Sequence, residues 1–270
     1  MPKMTFSKPR LICTDLDRTL LDPKGQVSAA NRAALQAATT RGVVFAVASG
    51  RRLPSIEVLM AGMGISGYKI FFNGACIADP NGKLIHRQAL APSRVRKLID
   101  LGAAAGVNVT LSTMTANVDY IPQTAQWVPT YIEAPATKSD LAPLYQAAEA
   151  TEVFKVSYYG ADLAALGAAL ATVRARHLAT GCWTDTRYVE MTAPGVDKFS
   201  GIRWLCGHLG LAVSQVAAFG DYDNDISMLA GVGCGVAMSN ALPQVKQAAA
   251  LVVDNHASSG VAKALLAMLK

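Results

Sequence analysis

Four short apolar runs, each stopping at polar residues, constrain this chain more than any other feature. The first is Leu11-Ile12-Cys13-Thr14, which ends at Asp15-Leu16-Asp17. Residues 43–48 run into Ser49-Gly50-Arg51, residues 69–72 into Asn73-Gly74, and residues 216–219 into Gly220-Asp221. An apolar run of strand length, without alternation, reads as a strand buried on both faces, and such strands belong to parallel sheets covered by helices. The intervening segments agree. Ser28 can cap a helix reaching about Thr40, with Ala34, Leu35 and Ala38 as its apolar stripe, and Gly42 ends it. A second helix is expected over residues 54–60. This alternation predicts an α/β fold with a Rossmann-like parallel sheet. Polar residues gathered at the strand C-termini mark the edge where such sheets place ligands.

The rhythm then changes. Residues 75–79 and 83–87 flank Pro80-Asn81-Gly82, a hairpin signal. Helices are expected over 93–105, 139–149 and 162–174, and strands over 107–111, 117–120, 153–159, 177–182 and 187–191. This mixture suggests an α+β domain inserted over residues 82–188, with the catalytic core formed by residues 1–81 and 189–270. The α/β rhythm resumes at Lys198 with a helix to about His208. A helix over 225–230, strands near 235 and 251–253, and a closing helix over 259–269 follow.

The polar strand ends carry recognisable chemistry. Asp15 and Asp17 lie two positions apart, so extended backbone would place both carboxylates on one face. Carboxylates held close repel unless a cation lies between them or one is protonated. Gly220-Asp221-Tyr222-Asp223-Asn224-Asp225 supplies a second acidic cluster, with Asp221 and Asp225 as candidate ligands. Carboxylate oxygens suit Mg2+. Phosphoryl transfer needs a nucleophile, a positive clamp and charge neutralisation. Asp15 can attack phosphorus and Asp17 can move protons, while Ser49 with the Gly50 backbone can bind phosphoryl oxygens and Lys198 can neutralise them.

Asp15-Leu16-Asp17-Arg18-Thr19-Leu20-Leu21 resembles the DxDGT(L/V) signature of the haloacid dehalogenase superfamily. Ser49-Gly50-Arg51 resembles its second motif, Lys198 its third, and Gly220-Asp221-x-x-Asn224-Asp225 its fourth. Asn73-Gly74-Ala75, residues 237–241 and the stretch from Asn255 through Gly260-Val261 are similar to the Cof-type subfamily. The resemblance implies an aspartyl-phosphate nucleophile at Asp15 and a general acid/base at Asp17. It implies Mg2+ held by Asp15, Asp221 and the backbone carbonyl of Asp17, with Asp225 or Asn224 supporting it. Ser49 and Lys198 would bind the phosphoryl group, Asn224 would steady Lys198 or phosphate oxygens, and the insert would be a type C2B cap that reads the leaving group. Arg51 and Asn73 are further candidates for substrate or phosphate contact; for each the alternative is a structural role at a helix start or turn.

One departure stands out. The signature has Gly after its second Asp, where this chain has Arg18. Glycine tolerates left-handed backbone; an arginine there requires ordinary geometry or accepts strain. Its long cation would contact substrate or a carboxylate of the insert, point outward without consequence, or impair turnover.

Bulk properties narrow the rest. The 270-residue chain is 51% hydrophobic and 16% charged, which opposes general disorder. Its net charge of +6 is scattered, and the Lys3 to Arg10 segment is too thin for a nucleic-acid arm. Five widely spaced cysteines contain no CxxC, which fits free thiols and a cytoplasmic location. No apolar run suggests a signal peptide or membrane span. The histidines share no metal spacing, and Trp127, Tyr131, Tyr158 and Tyr159 give the insert aromatic material. The expected function is a Mg2+-dependent phosphomonoesterase acting on a small phosphorylated metabolite, as a monomer or weak homodimer. Sugar phosphates lead among substrates, with pyridoxal phosphate or a flavin nucleotide behind. The alternative of another class is a binding module that kept the fold and lost turnover.

Overall fold

A computed structural model describes residues 8–130 and 138–270; the thin basic segment at Lys3 and the aromatic candidate Tyr131 lie outside the described residues. The chain divides into two compact units, residues 1–86 with 197–270, and residues 87–196.

In the first unit the chain runs β1 (Leu11–Thr14), α1 (Ala29–Thr40), β2 (Val44–Ala48), α2 (Leu53–Met63), β3 (Tyr68–Phe71), β4 (Cys76–Ala78) and β5 (Leu84–Arg87). The second unit holds α3 (Pro92–Ala104), β6 (Asn108–Thr113), β7 (Asn117–Tyr120), α4 (Ala142–Ala150), β8 (Val153–Tyr159), α5 (Leu163–Ala175), β9 (Thr180–Asp185) and β10 (Tyr188–Thr192). The first unit then resumes with α6 (Lys198–Leu209), β11 (Val216–Gly220), α7 (Ile226–Gly231), β12 (Cys234–Met238), α8 (Pro243–Ala248), β13 (Leu251–Val253) and α9 (Gly260–Met268).

The first unit is the expected α/β core. Its sheet has the order β13-β12-β11-β1-β2-β3-β4-β5, parallel from β13 to β3. The direction reverses at β3 and β4, which pair antiparallel. Central strands are apolar on both faces because both are covered. Leu11, Cys13, Ala46 and Ala218 pack against Ile202 and Leu205 of α6, Met228 of α7 and Val245 of α8. The alternate residues Ile12, Phe45, Val47 and Phe219 are equally buried, on the side of α1, α2 and α9. Ser28 caps α1 as expected, accepting from the Asn31 N–H at 3.1 Å.

The second unit is an antiparallel sheet of order β7-β6-β8-β10-β9. Val109, Leu111, Val156, Tyr158, Val189 and Met191 form its apolar face against α3 and α5. The other face is polar, with a Lys155–Glu190 ion pair and Thr110 donating to Asp119 at 2.6 Å. Tyr158 is core and donates its hydroxyl to the Leu98 carbonyl, while Tyr159 stacks on Tyr188.

The division falls later in the chain than the sequence reading placed it. Residues 84–86 still belong with the first unit, since β5 extends its sheet, and Tyr188–Thr192 is the fourth strand of the second sheet. The strand expected over 177–182 begins instead at Thr180. Helix α5 is closed by His177 in the left-handed region (φ 49°), with the Leu178 N–H returning to the Val173 carbonyl. That is the work a glycine commonly does at a helix end, and no glycine there announced it.

Candidate active site

The C-terminal ends of β1, β2, β3 and β11 share one edge of the first sheet, because all four strands are parallel. Asp15 leaves β1 with its N–H still bonded to the Phe219 carbonyl, 2.9 Å. The chain then makes one wide turn, closed by the Leu21 N–H to the Leu16 carbonyl at 2.8 Å and anchored by buried Leu16 and Leu20. Within it Asp17 is extended (φ −72°, ψ 126°) and Arg18 is left-handed (φ 59°, ψ 11°). Arginine at this position therefore accepts the strained alternative, at a cost of about 1 kcal/mol relative to glycine.

Lys198 stands at the centre of the acidic cluster. It is fully buried, and its Nζ donates to Asp15 Oδ1 at 2.7 Å and to Asp225 Oδ1 at 2.6 Å. Helix α6 sets its position. Asp197 caps that helix by accepting from the Ser200 N–H at 2.7 Å, and the Asp197 N–H donates to the Ser200 hydroxyl at 2.9 Å. Gly74 (φ 99°) lets the β3 turn approach closely: a Cβ there would lie 2.0 Å from the Asp197 carbonyl oxygen.

Asp225 folds back over its own loop. Its Oδ2 accepts from the backbone N–H groups of Asp221 at 2.8 Å and Tyr222 at 3.0 Å. This return needs Gly220, whose Cβ would sit 2.5 Å from the Asp225 side chain. Asp221 accepts from the Thr19 hydroxyl at 3.1 Å on Oδ1, while Oδ2 faces Arg18 Nε and Asn240 Nδ2, each at 3.4 Å.

One oxygen from each of Asp15, Asp221 and Asp225 lies within 4.8 Å of the others, and all three residues are buried. Burial pushes Asp15 well above the carboxylate range; Lys198 opposes this, and Asp225, Asp221 and Asp17 reinforce it. Burial, then repulsion from Asp225, pushes Asp221 up to about 7 against the pull of Arg18, Thr19 and Lys198. For Lys198, burial pulls the pKa down, but the ion pairs and hydrogen bonds with Asp15 and Asp225 outweigh it and leave it raised. The remaining unfavourable charge is what a divalent cation relieves, and hard carboxylate oxygens suit magnesium. Asp15 and Asp221 fit such an ion. Asp225, also expected as a ligand, commits one oxygen to Lys198 and the other to two amides.

The other candidates divide. Ser49 is buried at the end of β2, its hydroxyl accepting from the Arg51 N–H at 3.2 Å. Gly50 occupies the turn between them. Arg51, expected to reach substrate, forks onto Asp17 instead, through Nε at 2.8 Å and Nη2 at 2.6 Å, with Nη1 on Ser55. That hydrogen bond is the main cause of its raised pKa. Asn73 is buried and left-handed (φ 52°), and its Oδ1 accepts from Asn224 Nδ2 at 3.1 Å. Thus Asn224 steadies the β3 turn.

Thr19 and Asn240 lie in the motif stretches but carry no assigned role from sequence, and Asp197 is a site residue that the sequence reading does not name. The Asp197-x-x-Ser200 cap was readable as a helix start. The reach of Thr19 and Asn240 to Asp221 depends on contacts distant in sequence.

Residues 12–265 match the haloacid dehalogenase-like hydrolase family. Among curated relatives, a 5-amino-6-(5-phospho-D-ribitylamino)uracil phosphatase of Bacillus subtilis is 28% identical over 95% of this chain and 94% of its own. An HMP-PP phosphatase of Cronobacter sakazakii is 30% identical over 87% of this chain and 86% of its own. A solved haloacid dehalogenase-like hydrolase from B. subtilis superposes with a TM-score of 0.81 at 26% identity, over 95% of this chain and 99% of that one. The likeness thus spans both units, from the first strand to the last helix, and the chain belongs to the haloacid dehalogenase-like hydrolase family.

Proposed function

We propose that this protein is a Mg2+-dependent phosphomonoesterase that transfers the phosphoryl group of a small metabolite to Asp15 and then to water. The observation that carries this reading is Lys198, buried and bridging Asp15 to Asp225. A buried cation beside a carboxylate matches a site meant to hold a phosphoryl oxygen next to its attacker. Asp15 Oδ1 is engaged by Lys198, whereas Oδ2 accepts no hydrogen bond from a described residue, so Oδ2 is the attacking atom.

Attack by Oδ2 forms the Asp15–phosphorus bond as the bond from phosphorus to the leaving oxygen breaks. Asp17 delivers a proton to that oxygen, then takes one from the water that attacks phosphorus and restores Asp15. Both Asp17 carboxylate oxygens are engaged by Arg51, so Asp17 must leave that fork to reach the leaving oxygen. Ser49 and the Gly50 backbone orient phosphoryl oxygens, Arg51 offers them its guanidinium once released, and Asn73 with Asn224 holds the adjoining loop. Bound magnesium, held by Asp15, Asp221 and the Asp17 carbonyl, supplies charge neutralisation for phosphoryl transfer. Asp225 positions Lys198 and the Asp221 loop.

Residues 87–196 are proposed as the unit that chooses the leaving group. Sugar phosphates are the first substrate class, consistent with a small phosphorylated metabolite. A relative named for 5-amino-6-(5-phospho-D-ribitylamino)uracil favours a second reading, in which the preferred substrate carries a heteroaromatic base, as pyridoxal phosphate or a flavin nucleotide does. A phosphometabolite panel scored by kcat/KM separates the two readings. Hydrolysis of p-nitrophenyl phosphate should depend on Mg2+ and stop with EDTA, and Asp15→Asn should lower kcat at least about 10³-fold. Full activity in that variant would refute the assignment.

A further inference from the structure

Arg18 is the cation that the nucleophile and phosphate clamp leave unexplained. Its backbone occupies the left-handed region, which arginine enters only at a cost, so something must hold it there. The holding contact is Asn240, whose Nδ2 donates to the Arg18 carbonyl at 2.9 Å. Asn240 is fixed in turn by the His256 N–H, which donates to its Oδ1 at 3.1 Å. This arrangement directs the side chain at Asp221: Arg18 Nε lies 3.4 Å from Asp221 Oδ2, and the guanidinium lies over the Tyr222 ring, 5.5 Å from its centroid. The arginine side chain is 46% exposed and Asp221 is 2% exposed, so the contact closes the solvent side of a buried carboxylate.

We propose that Arg18 is an internal counter-ion that competes with the divalent cation for Asp221, stabilising the metal-free cluster and lowering its affinity for Mg2+. The proposal rests on the magnesium reading given above. The physical argument is charge balance. Lys198 faces Asp15 and Asp225, which leaves Asp221 as the carboxylate that Lys198 does not contact directly. Arg18 supplies that missing positive charge. A divalent ion on the same carboxylate must displace the guanidinium from Oδ2 or bind against its repulsion. Screened as in bulk water at about 6 Å, that repulsion amounts to roughly a tenfold change in affinity, and to more at the lower dielectric of a protein surface. An agent that stabilises only the metal-free state weakens metal binding to the same extent, by linkage.

Titration calorimetry with Mg2+ alone, at fixed ionic strength, tests this on the full-length wild type, Arg18→Gln and Arg18→Lys. Glutamine removes the charge and keeps a similarly strained backbone; lysine keeps both. The expected result is Mg2+ binding about tenfold tighter in Arg18→Gln and near wild type in Arg18→Lys. In EDTA, Arg18→Gln should melt below wild type, and its melting temperature should rise more on adding Mg2+. Unchanged or weaker binding in Arg18→Gln, or binding equally tightened in Arg18→Lys, overturns the proposal and leaves the magnesium reading intact. No saturable Mg2+ uptake by any of the three proteins overturns both.

Discussion

Lys198 makes the sharpest demands on its neighbours of any residue in the first unit. Fully buried and hydrogen-bonded to two carboxylates, it has no route to water. Replacing it with methionine leaves Asp15 and Asp225 buried without their shared cation. Lys198→Met should therefore lose about 3–5 kcal/mol of stability in metal-free buffer, measured by urea unfolding, along with activity. A loss below about 1 kcal/mol would mean that Lys198 is not the structural centre of the cluster. The thiols give an independent residue-scale check. Cys13, Cys76, Cys206 and Cys234 are buried and Cys182 is partly exposed. Burial pushes Cys234 up to about 11, and Cys13 and Cys206 also upward. A thiol reagent at pH 8 should label Cys182 rapidly and the other four only on unfolding, because the thiolate is the reactive form. The rate at Cys234 should climb as pH rises toward 11.

At the scale of elements, the helix α6 start and the β3 turn form one joint. The Asp197 cap presents Lys198, and Gly74 lets the turn meet that cap. Gly74→Ala brings both a left-handed backbone penalty and a clash with the Asp197 carbonyl. It should cost at least about 2 kcal/mol and lower kcat by displacing Lys198, whereas Gly62→Ala, in open space on α2, should do neither. Much of this level was legible in the sequence. The strand ends at Asp15, Ser49, Asn73 and Asp221 were announced by largely apolar runs breaking into polar residues, because a strand covered on both faces admits a polar side chain only where it finds a partner, as Lys69 of β3 does on the Asp79 and Pro80 carbonyls. The left-handed turn at Arg18 was not, since arginine does not advertise positive φ and the contact that holds it comes from Asn240, more than two hundred residues away. The start of β9 shifted for a related reason, His177 taking a glycine's role after α5. The Arg51–Asp17 fork likewise depends on how two loops meet, which spacing does not encode.

At the scale of the whole molecule, each unit has its own sheet and its own apolar face, and the exposure of backbone hydrogen bonds differs along each sheet. Hydrogen exchange should be slowest in β11, β1 and β2 of the first unit and in β6 and β8 of the second. Terminal strands β13, β5, β7 and β9 should exchange first. Equal protection across either sheet would contradict this ordering. The parallel order was readable from the alternation of buried runs and helices, and the change of rhythm after the β4–β5 hairpin signalled a second unit. The junction residues were less readable, because the Pro80-Asn81-Gly82 turn falls inside the first sheet, between β4 and β5, and not at its boundary. The central claim, a phosphoryl group carried on Asp15, is open to direct trapping. Asp17→Asn should slow release of the intermediate by about 10²–10⁴-fold. Acid-quenching that variant during turnover of a phosphate monoester in Mg2+, followed by peptide mass mapping, should find one phosphoryl group on the peptide containing Asp15. A phosphoryl group on another residue, or wild-type hydrolysis persisting in Asp15→Asn, would contradict the account.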